Sequence, residues 1–410
     1  MLGPTITRMH VRGLRTLADV SLDLRGLTVV TGDNGCGKST LVEACEIARR
    51  AAEPQFLPKI AEIHGWPYLL ARGGASSQTA ITIDVGEVNA QTFRYRLEWA
   101  EHDVVREVIG LATEDSAELG LRIHRDNADS RGPFAEPGQP LADGATWATG
   151  AVPADHYDTA VSAQLGRHPQ QGLAASRCAL ALRDIAVHPG FDTTARWATR
   201  KANRESAMRT PPQLRPAADL EHMGANLACL WHAIKANTPG AKYAEHMWRV
   251  SELLGCDVED VRVPSQAGGG YVAIEVAFRG QAPVTQAALS DGQLALLCYL
   301  GMLLAPTRRS LLVLDEPDLH LHPRALYHLV HLLVELASRH PVLVTTHSDR
   351  MLDLLSAPAD QVVVAELDRA TRSTRLLRPQ REVLAQWIDT FRGYGGLRAA
   401  GLEPRVLPEP

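Results

Sequence analysis

The sequence predicts an α/β protein: a sheet with crossover helices, preceded by an N-terminal antiparallel β lobe and interrupted by a mostly helical insertion. Three observations carry this. The first ~110 residues read as short strands around one strong helix. A glycine-rich turn joins an apolar strand directly to that helix. From residue 290 onward helix and strand alternate, the pattern of a parallel sheet with crossover helices.

In chain order, strands are expected at 5–11, 17–24 and Leu27–Thr31, and then at 80–85 and Thr92–Ala100. Between them Lys38–Arg50 contains neither Gly nor Pro and reads as a helix. From about 122 to 155 the chain is rich in Gly, Pro, Asp and Ala without periodicity, which reads as a loop or linker. Residues 156–255 read as mostly helical. Strands return at Val261 and at 271–278, followed by a helix at 290–305, a strand at 311–315, a helix at 323–339 and strands at 342–346 and 361–366. The expected organisation is therefore an N-terminal lobe over 1–115, a linker and helical insertion over 116–220, and a C-terminal lobe over 221–410.

Composition narrows the class. A chain of 410 residues with 45% hydrophobic and 22% charged residues is ordinary for a soluble protein of two or three domains, or of one large domain with an insertion. The start shows no basic end followed by an apolar run, as a signal peptide would. The longest apolar stretch, 294–306, falls short of the ~20 residues needed to span a bilayer, so the expected location is cytoplasmic. A net charge of −5 argues against a surface that is basic throughout. Cys36, Cys45, Cys178, Cys229, Cys256 and Cys298 form no CxxC pair and read as free thiols.

Four motifs carry chemistry. Gly32-Asp33-Asn34-Gly35-Cys36-Gly37-Lys38-Ser39-Thr40 follows an apolar strand and opens a helix, the context of a phosphate-binding P-loop. Its glycines turn backbone N–H groups inward onto phosphate oxygens, and the helix N-terminus adds positive charge. Lys38 would face the β- and γ-phosphates, and Ser39 would place its hydroxyl on Mg²⁺. The strand 311–315 ends in Asp315-Glu316, a Walker B pattern, with Asp315 holding Mg²⁺ and Glu316 acting on the attacking water. Ser290-Asp291-Gly292-Gln293 is a capping box before the apolar helix, and Gly292 permits close approach of an anion. Val342 to Thr346 is another buried strand, ending at His347-Ser348.

Together these motifs resemble the ABC-type AAA family ATPases known as the AAA_21 group, related to RecF and SMC proteins, to OLD nucleases and to Septu-defence ATPases. The Glu316-Pro317-Asp318-Leu319-His320-Leu321-His322-Pro323 segment, the opening strands, Gly224 to Leu227 and Tyr394-Gly395-Gly396-Leu397-Arg398 share that resemblance, which spans 3–110 and 220–400. It implies a P-loop NTPase fold of the ABC-head type, with ATP and Mg²⁺ as cofactors. Gly32, Asn34, Gly35, Gly37, Lys38, Ser39 and Thr40 would bind the nucleotide; Ser39 and Asp315 would hold the metal; Glu316, His347 and Lys38 would be catalytic. Ser290 and Gly292 would cap the ATP of a second copy, so that ATP joins two heads into a homodimer. The process served would be DNA-related or a phage-defence or toxin effector on a separate polypeptide.

The signature departs from LSGGQ at Asp291, and His322 stands where transporter ATPases carry an Asp. No Q-loop glutamine is evident; Gln55 and Gln78 are weak candidates. Asp318, His320 and His322 have metal-ligand chemistry but alternate along a loop, where they do not converge on one ion. Cys36 is either a redox-sensitive thiol or a small residue that fits. Arg196, Arg200, Lys201 and Arg204 belong to a basic run extending to Arg209 and Arg215, and read either as a phosphate-backbone footprint or as a solvated helix face. Two alternatives stand beside the ATPase reading: a nucleotide sensor that does not hydrolyse, and a transporter ATPase. Against the latter, Lys38 and Ser290 are about 250 residues apart, where transporters keep about 100.

Overall fold

Continuous apolar strands form the centre of the molecule. The computed structural model describes residues 3–64, 66–70, 78–86, 92–100, 103–111, 120–124, 173–194, 206–254, 257–264, 270–319 and 321–408. β3 (Leu27–Thr31), β12 (Leu311–Asp315), β13 (Val342–Thr345) and β14 (Val362–Leu367) are buried over almost their whole length. Such runs suit only a sheet covered on both faces. They lie in a six-stranded sheet ordered β15-β14-β3-β13-β12-β8, with β8 at Ile185–His188 and β15 at Thr374–Leu377. Every pairing in it is parallel except that of β14 with the edge strand β15.

Successive residues of these strands enter two different cores. Val29, Leu312, Leu314, Val342 and Val344 pack with the helices Leu227–Asn237, Asp291–Leu304 and Pro323–Ala337. Val30, Leu311, Val313, Leu343 and Val363 pack instead with the helix Lys38–Arg50 and with a second sheet. That second sheet is antiparallel, ordered β2-β1-β4-β5-β6-β7. Its strands are β1 (Thr5–Leu14), β2 (Leu17–Asp23), β4 (Thr79–Gly86), β5 (Thr92–Ala100), β6 (Asp103–Leu111) and β7 (Gly120–His124). Strict alternation of buried and half-buried residues along β5 fits a strand with one face on a core. A small antiparallel sheet of β9 (Val258–Arg262), β10 (Glu275–Phe278) and β11 (Val284–Thr285) completes the described strands.

Two long helices of the first core differ in kind. Pro323–Ala337 buries Leu326, Leu329, Val330, Leu333 and Leu336, one stripe of an amphipathic helix. Asp291–Leu304 buries every residue from Leu294 to Leu303, as a helix enclosed on all sides must. Trp231 donates its indole N–H to Leu297 O at 3.1 Å, and Tyr299 donates to Pro317 O at 3.1 Å, which ties this helix to the end of β12.

The α/β class, the antiparallel lobe and most element positions agree with the sequence reading, and two strands lie within the span 116–220 read as linker and helical insertion. β7 occupies 120–124, part of it within the segment read as linker, and extends the antiparallel sheet. The stretch read as helical from 156 contains β8, which pairs in parallel with β12 and forms one edge of the central sheet. The helix Leu173–Arg183 places Cys178, Ala179 and Leu182 in the second core. Residues 206–226 contain no helix. Among the described residues no helix is long and apolar enough to cross a membrane.

Arg309, its side chain 1% exposed, joins the foot of β12 to the 206–226 segment: Nε donates to Asp219 Oδ2 at 2.7 Å and Nη2 reaches the other oxygen. His188 and His340 are buried, and burial, aided by the Arg309 charge, lowers their pKa from 6.5 to about 3 and about 4. Both are neutral in folded and unfolded chains above ~6.5 and add no pH dependence there. As the pH falls below 6.5 the unfolded chain takes up protons that the folded chain does not accept until about 4 and about 3. Stability is therefore lost on acidification, by up to ~1.4 kcal/mol per pH unit for each histidine. Urea unfolding between pH 7 and 4.5 will show this slope, and His340→Gln will reduce it by up to about one proton. An unchanged slope in that variant contradicts the assignment.

Candidate active site

The ends of β3, β12 and β13 meet at one edge of the central sheet. Parallel register pairs Asp315 with Thr345 and Thr345 with Val30, so the three strands finish level. The motifs that follow them, Gly32–Ser39, Asp315–Glu316 and His347, are brought together for that reason.

Three glycines of the turn, Gly32, Gly35 and Gly37, have positive φ, and at two of them a side chain would also collide with its surroundings. Gly32 has φ +148°, and a Cβ there would stand 2.1 Å from Ala365 O. Gly37 has φ +100° and would meet Thr374 Oγ1 at 2.5 Å and Thr16 Oγ1 at 2.7 Å. The Thr374 hydroxyl lies 2.9 Å from Cys36 O and 2.8 Å from Thr16 Oγ1, so the turn is braced from the β1–β2 turn and from β15. Gly37 also occupies the N-cap of Lys38–Arg50, where no side chain caps the helix and no acid lies in the first turn. Free N–H groups at a helix start attract an anion. Lys38, 5% exposed, donates to Gly32 O at 2.8 Å and Asp33 O at 2.9 Å. Burial pushes the Cys36 thiol up against the opposing pull of Lys38, which suits a small packed residue better than a reactive one.

Thr345 organises the β12 end. Its hydroxyl bonds Asp315 Oδ1, and Glu316 N donates to Thr345 O and to Thr345 Oγ1, both at 3.1 Å. Glu316 is thereby held at φ +49°, a left-handed conformation that costs about 1–3 kcal/mol for a non-glycine residue. His347 Nε2 stands 3.3 Å from Glu316 Oε1, both side chains part-exposed. Behind it Ser348 caps the short helix Asp349–Asp353, and Arg398 donates to Asp349 Oδ1 at 2.7 Å. The Tyr394–Arg398 segment thus braces the histidine loop.

These groups border an open cavity of about 680 Å³ lined by Asn34, Gly35, Gly37, Lys38, Ser39, Thr40, Glu316 and His347. Arg15, Thr16, Tyr68, Leu367 and Arg372 line it as well, and none of these was singled out in the sequence because no local motif marks them. Gly32 and Asp315 lie at the ends of the two strands feeding it, and neither is on the wall. Gln55 and Gln78 do not line the cavity either. An uncapped helix start, one lysine and the Ser39 hydroxyl on the cavity wall fit a polyphosphate. Ser39 and Asp315 have the oxygen chemistry that Mg²⁺ takes.

Ser290 and Gly292 are elsewhere. Ser290 is exposed and accepts from Gln293 N at 3.3 Å, while Gln293 Oε1 accepts from Ser290 N at 2.9 Å, the expected capping box. They line a separate hollow of about 630 Å³ with Leu253, Leu321, His322 and Arg324, and the two hollows share no residue. Their helices also pack into different cores, one on each face of the central sheet.

The discounted metal group finds other uses. Thr346 donates to Asp318 Oδ1 at 2.7 Å, and burial pushes Asp318 up against that bond and the nearby His347. His322 caps the helix Pro323–Ala337 through Nδ1, and His320 is outside the described residues. Among the described residues no group of three His, Cys, Asp or Glu could hold a metal. Arg196, Arg200, Lys201 and Arg204 also lie outside the described residues. Arg209 of the same run is buried, and Arg215 pairs with Glu221 at 2.5 Å.

No curated protein sequence matches the chain. Its fold is similar to an Smc head domain with an extended coiled coil bound to the C-terminal domain of ScpA from Pyrococcus furiosus, with a TM-score of 0.56 at 13% identity over 95% of this chain and 100% of that one. It is similar also to an Smc head domain with a coiled coil and joint from Pyrococcus yayanosii, with a TM-score of 0.53 at 10% identity over 94% and 99%. A third likeness is to an SmcHead bound to the C-winged helix domain of ScpA, with a TM-score of 0.52 at 14% identity over 91% and 98%. These likenesses establish a P-loop ATPase fold of the SMC-head type. The profile of one sequence family matches residues 27–353, most of the chain, and the protein therefore belongs to that family, described as "AAA domain, putative AbiEii toxin, Type IV TA system".

Proposed function

We propose that the chain binds ATP with Mg²⁺ in the P-loop cavity and hydrolyses it in a head-to-head homodimer, each nucleotide lying between the P-loop of one copy and the signature turn of the other. The observation that carries this reading is the division of the site. The uncapped phosphate cradle and Glu316 border one hollow, while the exposed tip at Ser290 and Gly292 borders another, on a helix from the opposite face of the sheet.

Lys38 and the N–H groups of the turn would hold the β- and γ-phosphates, with Ser39 and Asp315 holding the metal, which supplies further positive charge. Glu316 would take a proton from water as its oxygen attacks the γ-phosphorus; the bond to the β-bridging oxygen breaks, and ADP and phosphate leave. A positioned base contributes typically 10²–10⁴ in rate. His347, beside Glu316, would contact the γ-phosphate. The closed dimer would drive or gate an effector on a separate polypeptide. The family's description points to a toxin or defence process, and the Smc neighbours, solved with ScpA domains, point to a DNA-related one with a docked partner protein.

Lys38→Ala will lower ATP affinity at least ~100-fold in a fluorescent-nucleotide titration, since it removes the fixed cation facing several phosphate charges. Unchanged affinity removes Lys38 from the site. Glu316→Gln will keep ATP binding, reduce phosphate release by ~10² or more and accumulate dimers in sedimentation at saturating ATP. Equal, background-level turnover in wild type and variant favours the nucleotide sensor that does not hydrolyse. Ser290→Arg will leave nucleotide binding by the single chain within about threefold and abolish dimer formation, because the long cation fills the cap position. Normal dimers in that variant refute the shared site.

A further inference from the structure

Asp291 puts a carboxylate in the signature turn where related ATPases carry glycine, and the structure gives that carboxylate its own counter-ion. Arg209 is 3% exposed, and its Nη2 donates to Asp291 Oδ1 at 2.6 Å. Its other donors go to main-chain carbonyls: Nη1 to Leu289 O at 2.8 Å and Ala287 O at 2.9 Å, and Nε to Thr193 O at 2.7 Å. One guanidinium thus fixes both the course of the chain into Ser290 and the charge of the residue after it. Asp291, by contrast, is 46% exposed on the tip.

The helix does not need this partner for its own stability. An acid in the first helical turn is already favoured by the helix dipole, and the capping box is complete without Arg209. Cancelling the charge matters when a second anion must approach the same turn. A carboxylate beside Ser290 and Gly292 would otherwise repel a terminal phosphate.

We propose that Arg209 is a positioning residue of the signature turn: it neutralises Asp291 and holds the main chain at 287–289, so that the tip accepts the terminal phosphate of a nucleotide bound by a second copy. The proposal rests on the shared-site reading above.

ATP-dependent dimerisation of the full chain tests it, measured by sedimentation across an ATP series in the Glu316→Gln background, with circular dichroism as the check of folding. Arg209→Gln will weaken dimerisation at least ~10-fold at low salt, and less at 0.5 M salt, where charge repulsion is screened. Adding Asp291→Asn will restore it to within about threefold, since the uncompensated charge has gone. ATP binding by the single chain will be unchanged in both. A double variant no better than Arg209→Gln overturns the proposal in favour of a purely structural tie, as does normal dimerisation in Arg209→Gln. Should Arg209→Gln fail to fold, Asp291→Asn alone decides: dimerisation within about threefold supports neutralisation, and a ~10-fold loss overturns it by making the carboxylate itself a requirement. Ser290→Arg separates the two levels. If that variant dimerises normally the shared site is wrong; if it does not, while Arg209→Gln does, only the role of Arg209 is wrong.

Discussion

The level finish of three adjacent parallel strands is the constraint on which the site depends. β3, β13 and β12 are buried on both faces, so polar chemistry can stand only at their ends. Register then decides which ends meet: Val30 lies opposite Thr345, and Thr345 opposite Asp315. A slip of one residue would turn each strand's side chains into the wrong core, because odd and even positions feed different clusters. The same hydrophobic alternation that stabilises the sheet therefore aligns the glycine turn, the carboxylates and the histidine. Thr345 finishes the alignment by bonding Asp315 and the backbone of Glu316, which holds the latter in its strained conformation.

The helix starts at Lys38 and at Asp291 are built in opposite ways. Lys38–Arg50 begins with no cap and no acid, leaving its N–H groups for a ligand. Asp291–Leu304 begins with a capping box that uses the N–H groups of Ser290 and Gln293. Ser290 accepts the Gln293 N–H through a lone pair, however, and its hydroxyl proton is left to donate. Under the proposed reading the first helix binds phosphate by its backbone and the second by a side-chain hydroxyl and a close-approaching glycine. Under the same reading, their placement on opposite faces of one sheet makes each chain hold two halves of different sites.

Much of this was legible in the sequence, for identifiable reasons. Leu27–Thr31, Lys38–Arg50, Thr92–Ala100 and Leu311–Asp315 have the boundaries the pattern predicted, because each is a strongly periodic or continuously apolar run between turn residues. β8 was read as helix: Ile185–His188 is only four residues long, and what makes it a strand is the edge of β12, far away in sequence. β7 was lost where its polar surroundings resembled a linker. Local motifs named Lys38, Ser39, Glu316 and His347, all on the cavity wall. Thr345 and Arg398 lie within motifs the sequence shows, but what they bond depends on tertiary neighbours; Thr374 acts only through such neighbours, and nothing adjacent in sequence signals it. Arg209 departs furthest from what its sequence neighbourhood suggests. In a basic run it looked like one more surface cation, yet it is buried with all its described partners in two distant segments.

Bracing of the site also bears on how nucleotide state could be transmitted. Thr374 and Thr16 hold the glycine turn, Thr345 holds the carboxylates, and Arg398 holds the segment after His347. A cradle fixed at so many points has little freedom to change shape. The signature tip is attached differently. Its helix reaches the carboxylate end of β12 through Tyr299 and Pro317, and its turn is fastened to Thr193 through Arg209. Under the shared-site reading, loss of the phosphate acts first on the contact between two rigid halves, and the response is separation of the copies rather than deformation within one. The buried helix Asp291–Leu304 would then carry that movement as a single body, because every side chain from Leu294 to Leu303 is locked in the core it crosses.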